Sequence, residues 1–567
     1  MVRTIPLALI LVLTCGLVNQ SPGQSYDSLA TLSADFRMWR SSQQPLNGDD
    51  ITRIERPSGW LPDWSSAKIA QYKVDLTSFD RRHASIDTSD WVIANQVDYR
   101  LVGSALARVN WELNVSENWR RNPLFYIDQS LGLVFEALLI PGAIDSTRSA
   151  DVIARMNHIP VVLSRAAENL DSCVPEFARL AIRELERAPG RFRNVVDALK
   201  LNFDPAQYGN LIEAGRAAID AFELYRNYLH ANLGSMTGDP AVGREKYRYF
   251  LHNVALLPFE PEEMVAVARS EWERSVAFEA LQEQRSARVP PLEIFPNTRT
   301  QIAANAMYEA SVRFFLEDNG ILTVPGWLQH YKNLPLPDHL LPLGHHGVVD
   351  DLPAPSRLDE DAVKYIRRPS ESLPYFWRAT ALDPRPILVH EGVPGHYFQL
   401  ALSWAHDNPI RRYYYDSSAN EGIGFYAEEM MLQQGFFDDS PHTQGIVYNF
   451  MRLRALRVEV DVGLATGAFS IADAAEYLQR TVPMDLATAE WEGAFYSSTP
   501  GIASSYQIGK SQIIAFLAAT RMQAPERDLR TFHDFVWRNG NVPIALQQWE
   551  FLSDRSAIDR LDYLKAN

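Results

Sequence analysis

A mainly α fold is what three features of the sequence predict, and the expected form is a large two-lobed body with a central cleft and one minor β-hairpin. Apolar residues recur at helical spacing from about Val97 to Glu317. Strand-like alternation is rare in that stretch. After Pro386, further apolar segments are bounded by helix start and stop residues.

From the N-terminus, Met1-Val-Arg-Thr leads into an apolar run from Ile5 to Val18 and then into polar residues, the layout of a secretory leader. The expectation is an exported protein, periplasmic or secreted, with a leader of residues 1–24. The run is shorter than the ~20 residues that span a bilayer, so a retained anchor is the weaker reading, and no later segment is long and apolar enough to span. Cys15 sits where a lipidated cysteine could sit, but Val12-Leu13-Thr14 before it lacks the small residue expected there, so lipid anchoring is the less favoured alternative.

Within the helical stretch the core-facing positions are exemplified by Phe177, Leu180, Ala181 and Leu185, and by Leu211, Ala214, Ala217, Ala218 and Leu224. No linker, charge block or repeat divides the mature chain, so residues 25–567 form one helical domain. It has an N-terminal helical part (25–325), a proline-rich cleft segment (326–386) and a C-terminal helical part (387–567). Two short β-like runs, Val363 to Ile366 and Tyr375 to Trp377, lie among the prolines and suggest the hairpin. Helices are then expected from about Pro386 to Ala405, from about Ser418 to Gln434 closed by Gly435, and from Ser440-Pro441 to near Gly467. Ser470 and Asp473 open another as a capping-box pair.

The 567 residues, 46% of them hydrophobic, can build a large core. Beyond the leader the only cysteine is Cys173, so no intramolecular disulfide is available. With 54 basic against 70 acidic residues and no sustained Lys/Arg stripe, nucleic acid and anionic membrane surfaces are poor partners. No G-x-S-x-G elbow, P-loop or G-x-G-x-x-G supports serine-hydrolase or nucleotide chemistry.

Chemistry concentrates in His390-Glu391-Gly392-Val393-Pro394-Gly395-His396. A zinc peptidase needs two imidazoles on one metal and a carboxylate beside them to take a proton from water on that metal. The usual spacing between the histidines is four. Here it is six, ~600° of rotation on a regular helix, which leaves the second ring about a third of a turn out of line. Pro394-Gly395 offers the remedy, since a bulge there returns His396 to the metal. The alternative is that the helix ends at Pro394 and leaves His396 as an ordinary loop residue. Glu421, in Asn420-Glu421-Gly422-Ile423-Gly424, supplies a third ligand from an adjacent antiparallel helix, or else merely complements that helix's dipole. Gly422 and Gly424 permit close approach. Glu428, on the same face as Glu421, suits a hydrogen bond to a ligand imidazole, and Asn420 is the other supporting residue.

These residues carry a resemblance to the zincin-like family catalogued as domain of unknown function 885. It rests on His390-Glu391-x-x-Pro394-Gly395-His396-x-x-Gln399, on Asn420-Glu421-Gly422 through Tyr426-Ala427-Glu428, and on Tyr496-x-x-x-Pro500-Gly501-x-Ala503-x-x-Tyr506-x-x-Gly509. Weaker echoes, such as Trp119-x-x-Asn122-Pro123 and Phe532-His533-Asp534, extend it over nearly the whole mature chain. The resemblance implies a helical metallohydrolase of the glutamate-zincin type, with a zinc ion on His390, His396 and Glu421 and with Glu391 as the base. In similar helical zincins a C-terminal tyrosine stabilises the oxyanion of amide hydrolysis. Tyr506 is assigned that role first and Tyr496 second, against the alternative that either is packing.

The chain departs from the family pattern at Phe495, where Arg is usual, at Ile502, where Gln is usual, and at Ala465, where His is usual. All three bear on how a substrate is held. Gly344-His345-His346-Gly347 reads as a cleft loop, because adjacent histidines without a nearby acid make a poor metal site, and His533 reads as structural. The function expected is zinc-dependent hydrolysis of short peptides, since a deep helical cleft excludes folded chains. The rivals are a zinc hydrolase of a non-peptide amide or ester and a non-catalytic exported binding protein, against which the intact Glu391 speaks.

Overall fold

In the computed structural model, residues 22–47 and 54–567 are described. The expected leader lies outside them up to residue 21, as does Cys15. The described chain is mainly helical, with one three-stranded sheet. Among the described residues no helix is long and apolar enough to cross a membrane.

Long amphipathic helices build the N-terminal part: Ser66–Ala84, Ile93–Asn110, Ser146–Asn169, Pro175–Leu199 and Tyr208–Asn232. Leu101, Ala181, Leu185, Leu211, Ala214 and Ala218 meet in their shared core. Ala217 and Leu224 do not: Ala217 is exposed and Leu224 is 70% exposed, while Ala221, Phe222 and Tyr225 turn inward. The buried row of that helix is 211, 214, 218, 222 and 225, and at 100° per residue positions 217 and 224 fall outside it. The last helices, Ile544–Leu552 and Ser556–Ala566, also belong to this core through Leu546, Trp549, Ile558 and Leu561. Cys173 is a free, buried cysteine whose thiol burial pushes up to about 12.

The proline-rich segment carries the sheet. Strands β1 (Tyr331–Pro335), β2 (Asp350–Asp351) and β3 (Ala362–Ile366) lie in the order β1-β3-β2, with β3 parallel to β1 and antiparallel to β2. The expected Val363–Ile366 strand is therefore present, but the simple hairpin is not. β1 escapes the sequence reading because Pro335 ends it, and a proline is admitted at the end of an edge strand. Tyr375–Trp377 is not a strand. It opens the helix Tyr375–Leu382 behind Pro374, and its aromatics pack on Phe450 with ring centroids 5.9 and 5.6 Å away.

A second core surrounds the motif-bearing helices and includes Leu388, Val393, Phe398, Ile423, Phe425, Phe532 and Trp537. Ser417–Gln433 forms one helix, with Asp416 capping the Ala419 N–H at 2.9 Å and Gly435 following at φ +86°. Pro441–Thr466 is the next, capped by Ser440 and closed by left-handed Gly467. Ser470 and Asp473 form the expected capping box. The helix expected from Pro386 to Ala405 is broken into three pieces: Arg385–Ile387, a π-helical turn Leu388–Gly392, and His396–Trp404. A cavity of about 840 Å³ is lined by residues of the N-terminal helices, the proline-rich segment and the C-terminal part.

Candidate metal centre

The break in the motif helix is what brings the histidines together. The π turn closes with the Val393 N–H donating to the Leu388 carbonyl at 3.1 Å, Val393 becomes extended, and a new helix starts at His396. Gly395 allows it: a Cβ there would lie 1.7 Å from the His390 carbonyl oxygen, so no other residue fits. Trp537 fixes the bend from outside by donating its indole N–H to the Pro394 carbonyl at 2.6 Å. The imidazoles of His390 and His396 then stand 4.6 Å apart, nearly perpendicular.

Glu421 meets them from the facing helix. That helix crosses Ile502–Gln523 so closely that a Cβ on Gly422 would be 2.6 Å from the Gly509 Cα. A Cβ on Gly424 would stand 3.0 and 3.1 Å from the Cε1 atoms of His396 and His390, so this glycine leaves room for both rings. Glu421 Oε2 is 3.4 Å from His390 Nε2 and 3.2 Å from His396 Nε2. Ligands held tetrahedrally at zinc's ~2.0–2.1 Å are about 3.3 Å from one another, so the spacing suits one zinc ion between the three atoms. The pairs lack hydrogen-bond geometry: both His396 nitrogens and Glu421 Oε2 are buried without a hydrogen-bond partner, although buried polar atoms are as a rule satisfied. On both grounds the residues fit a zinc ion.

The other nitrogen of His390 is engaged. Glu428 Oε1 lies 2.7 Å from Nδ1 and Arg454 Nη2 lies 3.3 Å from the same nitrogen, while Arg454 holds Glu428 with contacts of 2.8 and 3.0 Å to its two oxygens. Burial and Arg454 act against a charge on His390, but Glu421 and Glu428 outweigh them and hold its imidazole up at about 9. The Glu421 carboxyl is opposed by burial yet kept well below its usual range by the two imidazoles. Asn420 supports the site through the His396 helix rather than through a ligand ring: one residue before Glu421, it points about 100° away and donates to Gln399 Oε1 at 3.4 Å.

Glu391 and Tyr506 keep partial exposure where the ligands are buried. Burial opposes the Glu391 charge, but Lys364, His390 and His396 hold its carboxyl below the usual range. Lys364 is anchored 3.0 Å from Asp350, which also accepts from the Tyr331 hydroxyl at 2.5 Å, so the small sheet backs Glu391 with a cation. The Tyr506 ring lies nearly parallel to that of His390, 6.0 Å away. Arg457, ion-paired with buried Glu492, has its guanidinium carbon 4.9 Å from the Tyr506 ring centre and 5.6 Å from that of Tyr496. Tyr496 itself is buried in the core around Leu453 and Val460.

Sequence reasoning missed Arg454, Arg457, Lys364 and Asp350. Each reaches the centre from a distant element, and the only local hint is that Arg454 and Arg457 sit among buried apolar residues of their helix. His533 is structural: Nδ1 faces the Ile321 carbonyl at 2.8 Å and Nε2 the Tyr426 hydroxyl at 2.9 Å. Phe495, stacked on Trp491 at 5.1 Å, and Ile502 line the large cavity, while Ala465 is buried in another core. The reading of His345 and His346 needs correction. They do have an acid nearby, Glu184, which comes from a helix far back in the chain and is 2.6 Å from His345 Nε2.

Two solved structures share this fold. One is a proposed lipoprotein of unknown function from Shewanella oneidensis, 15% identical, with a TM-score of 0.68 over 93% of this chain and 99% of that one. The other is a proposed lipoprotein from Colwellia psychrerythraea, 16% identical, with a TM-score of 0.71 over 95% and 99%. No protein with a curated description matches the chain's sequence. The profile of a family described as bacterial protein of unknown function matches residues 48–311 and 361–548, most of the chain. The chain thus belongs to that bacterial family, DUF885.

Proposed function

We propose that the protein is a zinc-dependent hydrolase that cleaves peptide bonds in short peptides. The observation that carries this reading is the convergence of His390, His396 and Glu421 at 3.2 to 3.4 Å, with buried unpartnered atoms among them and the Glu391 carboxylate next to them. Those three residues would hold zinc, which when bound supplies Lewis acidity that acidifies water and polarises a carbonyl. Glu391, kept ionised by Lys364, accepts the proton of the attacking water and returns it to the leaving amine. Tyr506, partly exposed and nearly parallel to the His390 ring, donates its hydroxyl to the oxygen that becomes negative, with Tyr496 as the second choice for that role. Glu428 and Arg454 hold His390 with Nε2 turned inward.

Short peptides are the favoured substrate because His390, His396 and Glu421 are buried, out of reach of a folded chain. The leader-like residues 1–24 favour an activity outside the cytoplasm, and the two lipoprotein-like neighbours favour an envelope location, with Cys15 as the residue that lipidation would use. The test is digestion of a peptide library and a set of simple esters by the wild type and by Glu391→Gln. The wild type is expected to cleave peptides, and the variant to keep its zinc and lose turnover by a factor of at least about 10². Equal turnover by both removes Glu391 from the reaction, and cleavage of esters alone replaces the substrate class.

A further inference from the structure

A second cluster of metal-type donors lies far from the first along the chain. Glu184, on the Pro175–Leu199 helix, faces His345 and His346 of the proline-rich segment, and one ligand atom from each lies within 4.8 Å of the others. The two imidazoles stand 4.1 Å apart, and His346 Nε2 is buried with no hydrogen-bond partner. His346 as a whole is 8% exposed, so this nitrogen carries a desolvation cost that a bound ligand would offset. All three residues line the wall of the large cavity, which gives an ion a route from solvent, and Asp128 adds a further carboxyl to the same wall. Two imidazole nitrogens and one carboxylate oxygen are the donor set of a zinc-class dication rather than of calcium or magnesium, which prefer oxygen alone.

We propose that Glu184, His345 and His346 form a second site for a zinc-class divalent cation, which ties the Gly344–Gly347 turn to the Pro175–Leu199 helix across the cavity wall. Without metal, a guanidinium takes the cation's place. Arg191 Nη1 donates to Glu184 Oε1 at 2.6 Å and lies 2.7 Å from His345 Nε2. Its side chain is 30% exposed, so it can swing outward and be replaced by the ion. Arg191 is then a competitor, and its removal tightens binding. The proposal stands independently of the His390 centre, because no residue is shared.

The full chain is dialysed against Zn²⁺, and bound metal is counted. The double variant His390→Ala/His396→Ala is expected to retain one zinc per chain, to lose it on adding His346→Ala, and to bind it about tenfold more tightly on adding Arg191→Gln, the gain from removing one competing charged hydrogen-bond donor. In the otherwise wild-type chain, Glu184→Gln should lower the count from two to one, a reading that does not depend on the double variant folding. The proposal is overturned if the folded double variant binds no zinc, or if its zinc is indifferent to His346→Ala and Arg191→Gln. Failure of the first centre would appear separately, as a wild type whose zinc is lost with Glu184→Gln but not with His390→Ala/His396→Ala.

Discussion

His390 has two nitrogens with opposite tasks, and its neighbours settle which does which. Nδ1 faces Glu428 at 2.7 Å and Arg454 Nη2 at 3.3 Å, and Nε2 faces Glu421 and His396. Replacing Glu428 by Gln removes the anion that raises the ring's basicity and leaves Arg454 buried with less compensation. Zinc affinity should fall about 10- to 100-fold, measured by competition with a chelator. A structural histidine titrates differently. Burial holds His533 down at about 4 against 6.5 when exposed, so the neutral ring stabilises the fold fully above pH 6.5, and that stability is lost as pH falls through 4. Denaturant melts should show a loss on the order of 3 kcal/mol over this interval that is absent in His533→Gln.

The broken helix Arg385–Trp404 is the element on which the centre depends. A regular helix would satisfy more backbone hydrogen bonds but would point His396 away, so the π turn and the extended Val393 are where local regularity gives way to the site. Gly395→Ala puts a methyl against the His390 carbonyl and cannot be absorbed by a side-chain rotation. It should cost at least about 2 kcal/mol in a denaturant melt and remove zinc binding. Gly424→Ala is gentler, since its contacts at 3.0 to 3.1 Å are with imidazole carbons. The fold should survive while zinc affinity drops, which calorimetric titration would show. The two changes separate the bend that positions His396 from the space that both rings occupy.

At the scale of the whole molecule, Glu421 and the supporting charges reach the two histidines from chain segments on both sides of the break. What is legible in the sequence is local: helical periodicity, caps such as Ser440 and Gly467, and the spacing around Pro394-Gly395. His390, His396 and Glu421 are legible because they lie close together in the chain and carry their own chemistry. Arg454, Lys364 and Asp350 are not, since charged residues on a helix or a short strand look solvated until tertiary packing buries them. Glu184 is hidden for the same reason, and its absence from the neighbourhood of His345 in sequence made that pair look inert. Aromatic Tyr375–Trp377 misled in the other direction, because β-propensity reflects a half-buried environment that a helix against Phe450 supplies equally well.

The central claim, that His390, His396 and Glu421 hold zinc, is tested most directly by anomalous diffraction at the zinc edge from crystals of the full protein grown with Zn²⁺. A peak is expected about 2.0 to 2.2 Å from His390 Nε2, His396 Nε2 and a Glu421 oxygen, whatever else binds at Glu184. A zinc-saturated crystal with these three side chains in place and no peak between them would contradict the account.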